Sequence, residues 1–452
     1  TTGACNSGHG MYSLYNNSTG STNVAVGTCS LFTNTTASCN TAVGFCSLYA
    51  NTTGCINVAV GFQAMKANTT GEFNTAIGAG SLQTNTTGGE NVSSGYNSLA
   101  LNTTGCKNTA FGKSSLEANT TAVNNTAVGF SALKANTTGA QNVAIGSKAA
   151  CSLTTAGSVT VIGHNAFSAS TTGGETVAIG DNAMECNTTG CRNVAIGNGT
   201  MFKNTTGKCN TAVGRIALYN NSTGCYNTAF GHAALNASTT GAYLTGLGNG
   251  AGFYNTTGSY NTSVGHEAGC ANTTGAENTS FGYLASKCGT TGNYNTSIGA
   301  SAGCSLTTGS HNVFLGHIAG RVGSPATVTT GSGQVVIGSN SVTNSYIKVD
   351  WTVTSDLRDK TQIEDIPHGL DFVNQLNPIK YKFKKSRDDD TPQGDIKYGF
   401  GAQDILALEG DNPVIINNKQ DDILKMTNAH LIPVLVNAIK ELKAEIDELK
   451  KG

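Results

Sequence analysis

In a chain of 452 residues, the side chains able to do chemistry gather in one short run, Ser355-Asp356-Leu357-Arg358-Asp359-Lys360. A serine hydroxyl needs a base to act as a nucleophile at neutral pH. A lysine serves as that base when burial or a nearby positive charge depresses its pKa. Arg358 is suited to contribute such charge or to position a carboxylate. Alternatively, Ser355 and Asp356 cap the segment that follows. The rest of the chain is poorer. The eight histidines are scattered without triad spacing, and the fourteen cysteines, all at or before Cys304, lack the C-x-x-C and His-spaced patterns of zinc sites. We therefore expect no metal and no cofactor. Glycan hydrolysis calls for paired carboxylates, and residues 1–350 hold nine acids.

Upstream of this run, one glycine recurs every 17 residues, from Gly10 through Gly27, Gly44 and Gly61 to Gly316, without insertion or deletion. A fixed period of this kind is the mark of stacked repeats, each of which must sit on an identical neighbour. In the rung that starts at Asn57, Asn-Val-Ala-Val-Gly reads as a short strand ended by a corner glycine. Asn68-Thr69-Thr70-Gly71 reads as the turn that closes it. Two apolar columns follow the period. One is Val26, Val43, Val60, Ile77, Phe111, Val128 and Ile145; the other is Leu31, Leu48, Met65, Leu82, Leu99, Leu116 and Leu133. Stacking in parallel and in register is expected to bury both. At roughly 4.8 Å per rung, the array makes a rod on the order of 90 Å long. After Leu235 the second column changes to glycine, at Gly252, Gly269, Gly303 and Gly320. The rod is expected to narrow there or to admit the backbone of a neighbouring chain. The last Val-Ile-Gly ends on Gly338, five residues late, with Pro325 in the inserted loop.

Charge divides the chain. Residues 1–350 carry 12 Lys/Arg and 9 Asp/Glu, and residues 351–452 carry 14 and 18. The fold expected is mainly β: a parallel β-roll or β-solenoid shaft of 17-residue rungs over 1–320, an irregular loop and β neck over 321–354, and a small α+β domain over 355–452 ending in a coiled-coil-like helix, 428–451. In that helix Ile432, Leu435, Ile439, Leu442, Ile446 and Leu449 keep a 3,4 spacing. No basic patch with interleaved aromatics suggests nucleic acid, and no run approaches the length of a membrane helix. The chain opens at Thr1 without Met, as a processed or truncated N-terminus would.

The cysteines follow the period too. Cys29 and Cys46 share a column on adjacent rungs, Cys39 and Cys55 are near neighbours, as are Cys209 and Cys225, and Cys186 and Cys191 flank one turn. These are possible disulfides; the alternative is free, semi-buried thiols filling small columns. Asn17, Asn34, Asn51 and their successors head N-x-S/T sequons in one column. They read either as glycosylation acceptors or, as turn chemistry favours, as structural asparagines.

The rung, best seen in Asn193-Val194-Ala195-Ile196-Gly197, resembles the left-handed β-roll in the head of trimeric autotransporter adhesins, and similar repeats occur in phage tail fibres. The C-terminal hundred residues resemble the intramolecular chaperone domain of endosialidases and other phage tail spikes and fibres. Four segments in order carry this second likeness: Ser355 to Lys360, Leu376-Asn377-Pro378-Ile379-Lys380-Tyr381, Tyr398-Gly399-Phe400-Gly401-Ala402-Gln403, and Leu431-Ile432-Pro433 running into a helix. The resemblance implies a homotrimer whose C-terminal domain templates folding and then cuts itself off. It implies Ser355 as nucleophile, Lys360 as its dyad lysine, Asp356 and Arg358 in support, and a scissile bond at Ser355 with the Thr354 carbonyl as electrophile. The function expected is a structural fibre on a virion surface, binding a host receptor (glycan or surface protein) and joined to other virion proteins near its N-terminus. A bacterial surface adhesin is the alternative, which would need an anchor, and a glycan-depolymerising spike is a third. At most the chain is a single-turnover protease acting on itself.

Overall fold

A computed structural model describes residues 2–342, 345–348, 355–386, 389–411, 413–418 and 424–451. The chain forms two compact units, Thr1–Ser339 and Asn340–Gly452.

In the first unit, twenty strands of three residues, β1 (Ser7–His9) to β20 (Val335–Ile337), stack into one parallel sheet among the described residues. The register is the 17-residue period itself: Ser7 pairs with Val24, Val24 with Thr41, Thr41 with Val58. Only the final step is longer, Val313 to Val335, where the inserted loop returns the chain to the sheet. Backbone hydrogen bonds between successive rungs continue around the turns, as in Leu48 N to Ala64 O at 3.0 Å and Thr52 N to Thr69 O at 3.0 Å. This is a β-solenoid of 17-residue turns.

The corner glycine is fixed by backbone stacking. At Gly61, φ is +139°, and a Cβ there would lie 2.6 Å from the carbonyl carbon and oxygen of Gly78 in the next rung. No side chain fits between two backbones that close.

One apolar column sits where expected and the other does not. Leu31, Leu48, Met65, Leu82, Leu99, Leu116 and Leu133 are fully buried. The column Val26 to Ile145 is a correction: Ile77 is 46% exposed and Phe111 44%. In each strand the middle residue faces inward, and that residue is alanine at 25, 42, 59, 76 and 110, fully buried. A three-residue strand turns its first and third side chains the same way, away from the core. The rung interior is therefore narrow, with Ala on one wall and Leu on the other.

Two asparagine ladders bind the rungs. Asn51 Nδ2 donates to Asn34 Oδ1 (3.0 Å) and to Gly54 O (2.9 Å). In the second ladder, Asn57 N donates to Asn40 Oδ1 (2.9 Å), and Asn57 Nδ2 donates to Gly71 O (2.9 Å). All four side chains are buried. Identical amides stacked in register satisfy one another, which is how the core tolerates so many polar groups.

Where the Leu column changes to Gly, the apolar core is interrupted. One cluster runs from Ala25 to Leu244 and a second starts at Ala302. Phe314 replaces the strand alanine and fills the space over Gly303 and Gly320. Between the clusters lies an internal cavity of about 30 Å³, lined by Leu235, Gly252, Ser263, Gly269, Ser280 and Ser286 among others.

The second unit begins with a 3-10 turn, Leu357–Asp359, and a short helix α1, Leu370–Asn374. Strands β21 (Pro378–Ser386) and β22 (Asp389–Phe400) form an antiparallel hairpin, with Tyr381 opposite Lys397. Helix α2 (Ala402–Glu409), a two-residue pair β23 and β24 (Ile416–Asn417, Lys425–Met426) and helix α3 (Leu431–Leu449) complete it. The core is Phe372, Ile405, Ile415, Ile416, Leu431 and Val434. Helix α3 lends it Leu431 and Val434 and buries Ala438 besides; the heptad residues Ile432, Leu435, Ile439, Leu442, Ile446 and Leu449 are all exposed.

Candidate functional site

Asp356 starts the 3-10 turn. Its Oδ1 accepts from Arg358 N at 2.9 Å, so the aspartate is the N-cap. The Arg358 guanidinium closes back on the same carboxylate, with Nε 3.1 Å from both oxygens. Arg358 holds the Asp356 carboxyl below the usual carboxylate range, chiefly through that side-chain bond. The arginine charge is thus engaged by a carboxylate. Three residues of turn then bring Lys360 back over Ser355, and Lys360 Nζ donates to Ser355 Oγ at 2.8 Å. Hydroxyl and amine meet at the distance a nucleophile and its base require. Ser355 and Lys360 are exposed in the single chain. Thr354, whose carbonyl is the expected electrophile, lies outside the described residues. So do Val349 to Val353 of the β neck expected over 321–354, and residues 345–348 form no strand.

The structure thus brings Ser355, Asp356, Arg358 and Lys360 together. The cysteines all lie in the shaft. All fourteen are free, including Cys29, Cys46, Cys39, Cys55, Cys186, Cys191, Cys209 and Cys225. Of the four pairs considered, Cys29 and Cys46 alone share a column; burial first, then Cys29, pushes the Cys46 thiol up. Cys39 and Cys55 stand in adjacent columns and bond elsewhere: Cys39 Sγ is 3.2 Å from Thr22 Oγ1, and Ser38 N donates to Cys55 Sγ at 3.4 Å. Cys225 likewise accepts from Lys208 N at 3.3 Å. Cys186 is pushed up by burial and by Glu185. A pair missed in the sequence is Cys288 and Cys304: burial first, then Cys288, pushes the Cys304 thiol up. Their 16-residue offset is that of Cys39 and Cys55, and it was the available signal.

The sequon column is inaccessible. Asn34, Asn51, Asn68, Asn85 and Asn102 are fully buried, and their amide nitrogens are spent on the ladder. Among the described residues, no group of three or more His, Cys, Asp or Glu is placed to hold a metal, and no helix is long and apolar enough to cross a membrane.

Residues 355–411 match the family model described as chaperone of endosialidase. The match begins on Ser355, covers the Ser–Lys pair, the hairpin and α2, and stops before α3. No curated protein matches the chain. The C-terminal unit therefore carries an intramolecular chaperone region, and the chain has the make-up of a tail-fibre- or spike-like protein.

Proposed function

We propose that the chain is one strand of a homotrimeric viral tail fibre, used for host attachment, whose C-terminal unit drives assembly and then releases itself by cleavage at Ser355. The observation that carries this reading is the 2.8 Å contact between Lys360 Nζ and Ser355 Oγ inside the family-matched region. In the proposed step, Lys360 in its neutral form takes the Ser355 proton as Oγ attacks the Thr354 carbonyl carbon. The C–N bond breaks, the proton passes to the Ser355 nitrogen, and an ester to Oγ remains. Water then hydrolyses the ester, leaving a Thr354 carboxylate and a chaperone that starts at Ser355. An amine is a base near neutral pH only when burial or a neighbouring cation disfavours its charged form. Arg358 is taken up by Asp356, and Lys360 is exposed in one chain. Assembly of three chains would supply the burial, which ties cleavage to completed folding. The receptor is a glycan or protein on the host surface, and other virion proteins hold the fibre near its N-terminus; the setting is extracellular. The test is to express wild type, Ser355→Ala and Lys360→Ala and run denaturing gels. Wild type yields residues 355–452 as a separate band and both variants stay whole. A wild-type chain that is trimeric yet uncut refutes the cleavage step.

A further inference from the structure

The outward face of the solenoid sheet is both apolar and free of charge, whereas the other exposed column without charge, the turn threonines Thr36, Thr53, Thr70 and their successors to Thr308, is polar throughout. Each strand from β1 to β20 turns its first and third residues outward, forty positions in all. The first is Val or Thr in every strand but β1, which has Ser7. The third is Val, Ile, Leu or Phe except at His9 and Ser94. None of the forty is Asp, Glu, Lys or Arg. Residues 1–339 hold 19 such charges, 11 basic and 8 acidic, and all stand in other columns. Lys113, Asp181 and Arg215 follow the corner glycine, and Glu90, Lys107 and Arg192 precede the second asparagine ladder. If this face met water, a charge would cost it nothing and would protect a long apolar surface from aggregation. Apolar side chains kept in a row without one charge over twenty consecutive rungs point to a surface that is covered.

We infer that this face is where the chains of the fibre pack on one another, parallel and in register, along the whole shaft. This rests on the trimer proposed above and names the surface that forms it. The occupant is argued from the period. An apolar stripe repeated at every rung needs a partner with the same repeat and the same length, and a second copy of the shaft has both. A receptor would need one patch, not twenty. The area is sufficient: twenty rungs at roughly 4.8 Å, each about 10 Å wide, present roughly 950 Å² per chain, against about 800 Å² per partner in a standard stable interface. The exposed heptad of α3 is a separate apolar face on the same chain with the same need. β-Branched side chains lose little rotamer freedom on packing, which suits a long seam.

The experiment places the photoreactive residue benzoylphenylalanine at Ile196, on the strand face, or at Thr206, on the exposed turn, in the full-length chain. Light scattering gives the particle mass, and irradiation followed by a denaturing gel gives the neighbours. We expect a trimer, with covalent dimers and trimers from Ile196 and none from Thr206; incorporation at Ile145 repeats the test nine rungs from the N-terminus. A trimer that crosslinks from Thr206 and from neither strand-face site overturns the face assignment and leaves assembly standing. A monomer overturns both.

Discussion

Lys360 Nζ donates to Ser355 Oγ at 2.8 Å across a turn whose geometry is set by two other residues, Asp356 and Arg358. The cap fixes the turn, and the turn fixes the contact. Lys360→Arg therefore separates hydrogen bonding from proton transfer. Arginine keeps a donor in place but stays protonated. We expect the Lys360→Arg chain to assemble and to remain uncut, read as one full-length band from a trimeric particle. Cleavage at the wild-type rate would show that Lys360 is not the base.

Asp356→Ala removes the N-cap and frees Arg358. A lost cap costs about 1 kcal/mol locally. We expect slower cleavage with unchanged assembly, measured as the cut fraction against time, and partial recovery with Asp356→Asn, which caps without charge.

The Gly61 corner leaves no room for a Cβ and has φ +139°. Gly61→Ala should destabilise the shaft by roughly 2–3 kcal/mol, the scale of strain at a backbone conformation that only glycine enters readily. Because rungs contact only their neighbours, the damage should appear as a new protease site near residues 61–78. Gly289, at a negative φ and with no atom closer than 3.6 Å to an added Cβ, is the control position, and Gly289→Ala should leave the digest unchanged.

How much of this was legible beforehand divides by length scale. The 17-residue period fixed the rung, the register and the corner glycine, because stacking makes every residue answer to its copy one rung away. It did not decide which way Val26 or Ile77 points. Both apolar columns look alike in sequence; what separates them is the small alanine between Val24 and Val26, which marks the inward wall of a strand too short to have another. The pairing of Ser355 with Lys360 was legible only through the family resemblance; the three-residue turn between them sets the contact locally. The cysteine pairings were not, since a 16-residue offset places two thiols in adjacent columns and says nothing about where each sulfur turns.

The thiols give a chemical test of that placement. Burial pushes Cys46, Cys270 and Cys304 above the ordinary thiol range, so at a given pH each has less thiolate, the reacting form. Cys5 and Cys39 are exposed. Alkylation near pH 8 followed by peptide mass analysis should label Cys5 and Cys39 first and the other three last, with the gap closing as pH rises. Resistance at Cys39 together with Cys55, reversed by a reductant, would instead mark a disulfide.

The two apolar columns should answer differently to the same change. Leu82 is fully buried, and Leu82→Ala opens a cavity between rungs at a cost of roughly 2–5 kcal/mol. Ile77, five residues earlier, faces outward, and Ile77→Ala leaves the rung interior untouched. In a shaft fragment held as a monomer, Leu82→Ala should lower the unfolding midpoint and Ile77→Ala should not. In the assembled fibre Ile77→Ala should become costly as well, because there its side chain is packed against another chain. Equal effects of Ile77→Ala in monomer and fibre would mean that the strand face stays in water, and the charge-free stripe would need another explanation.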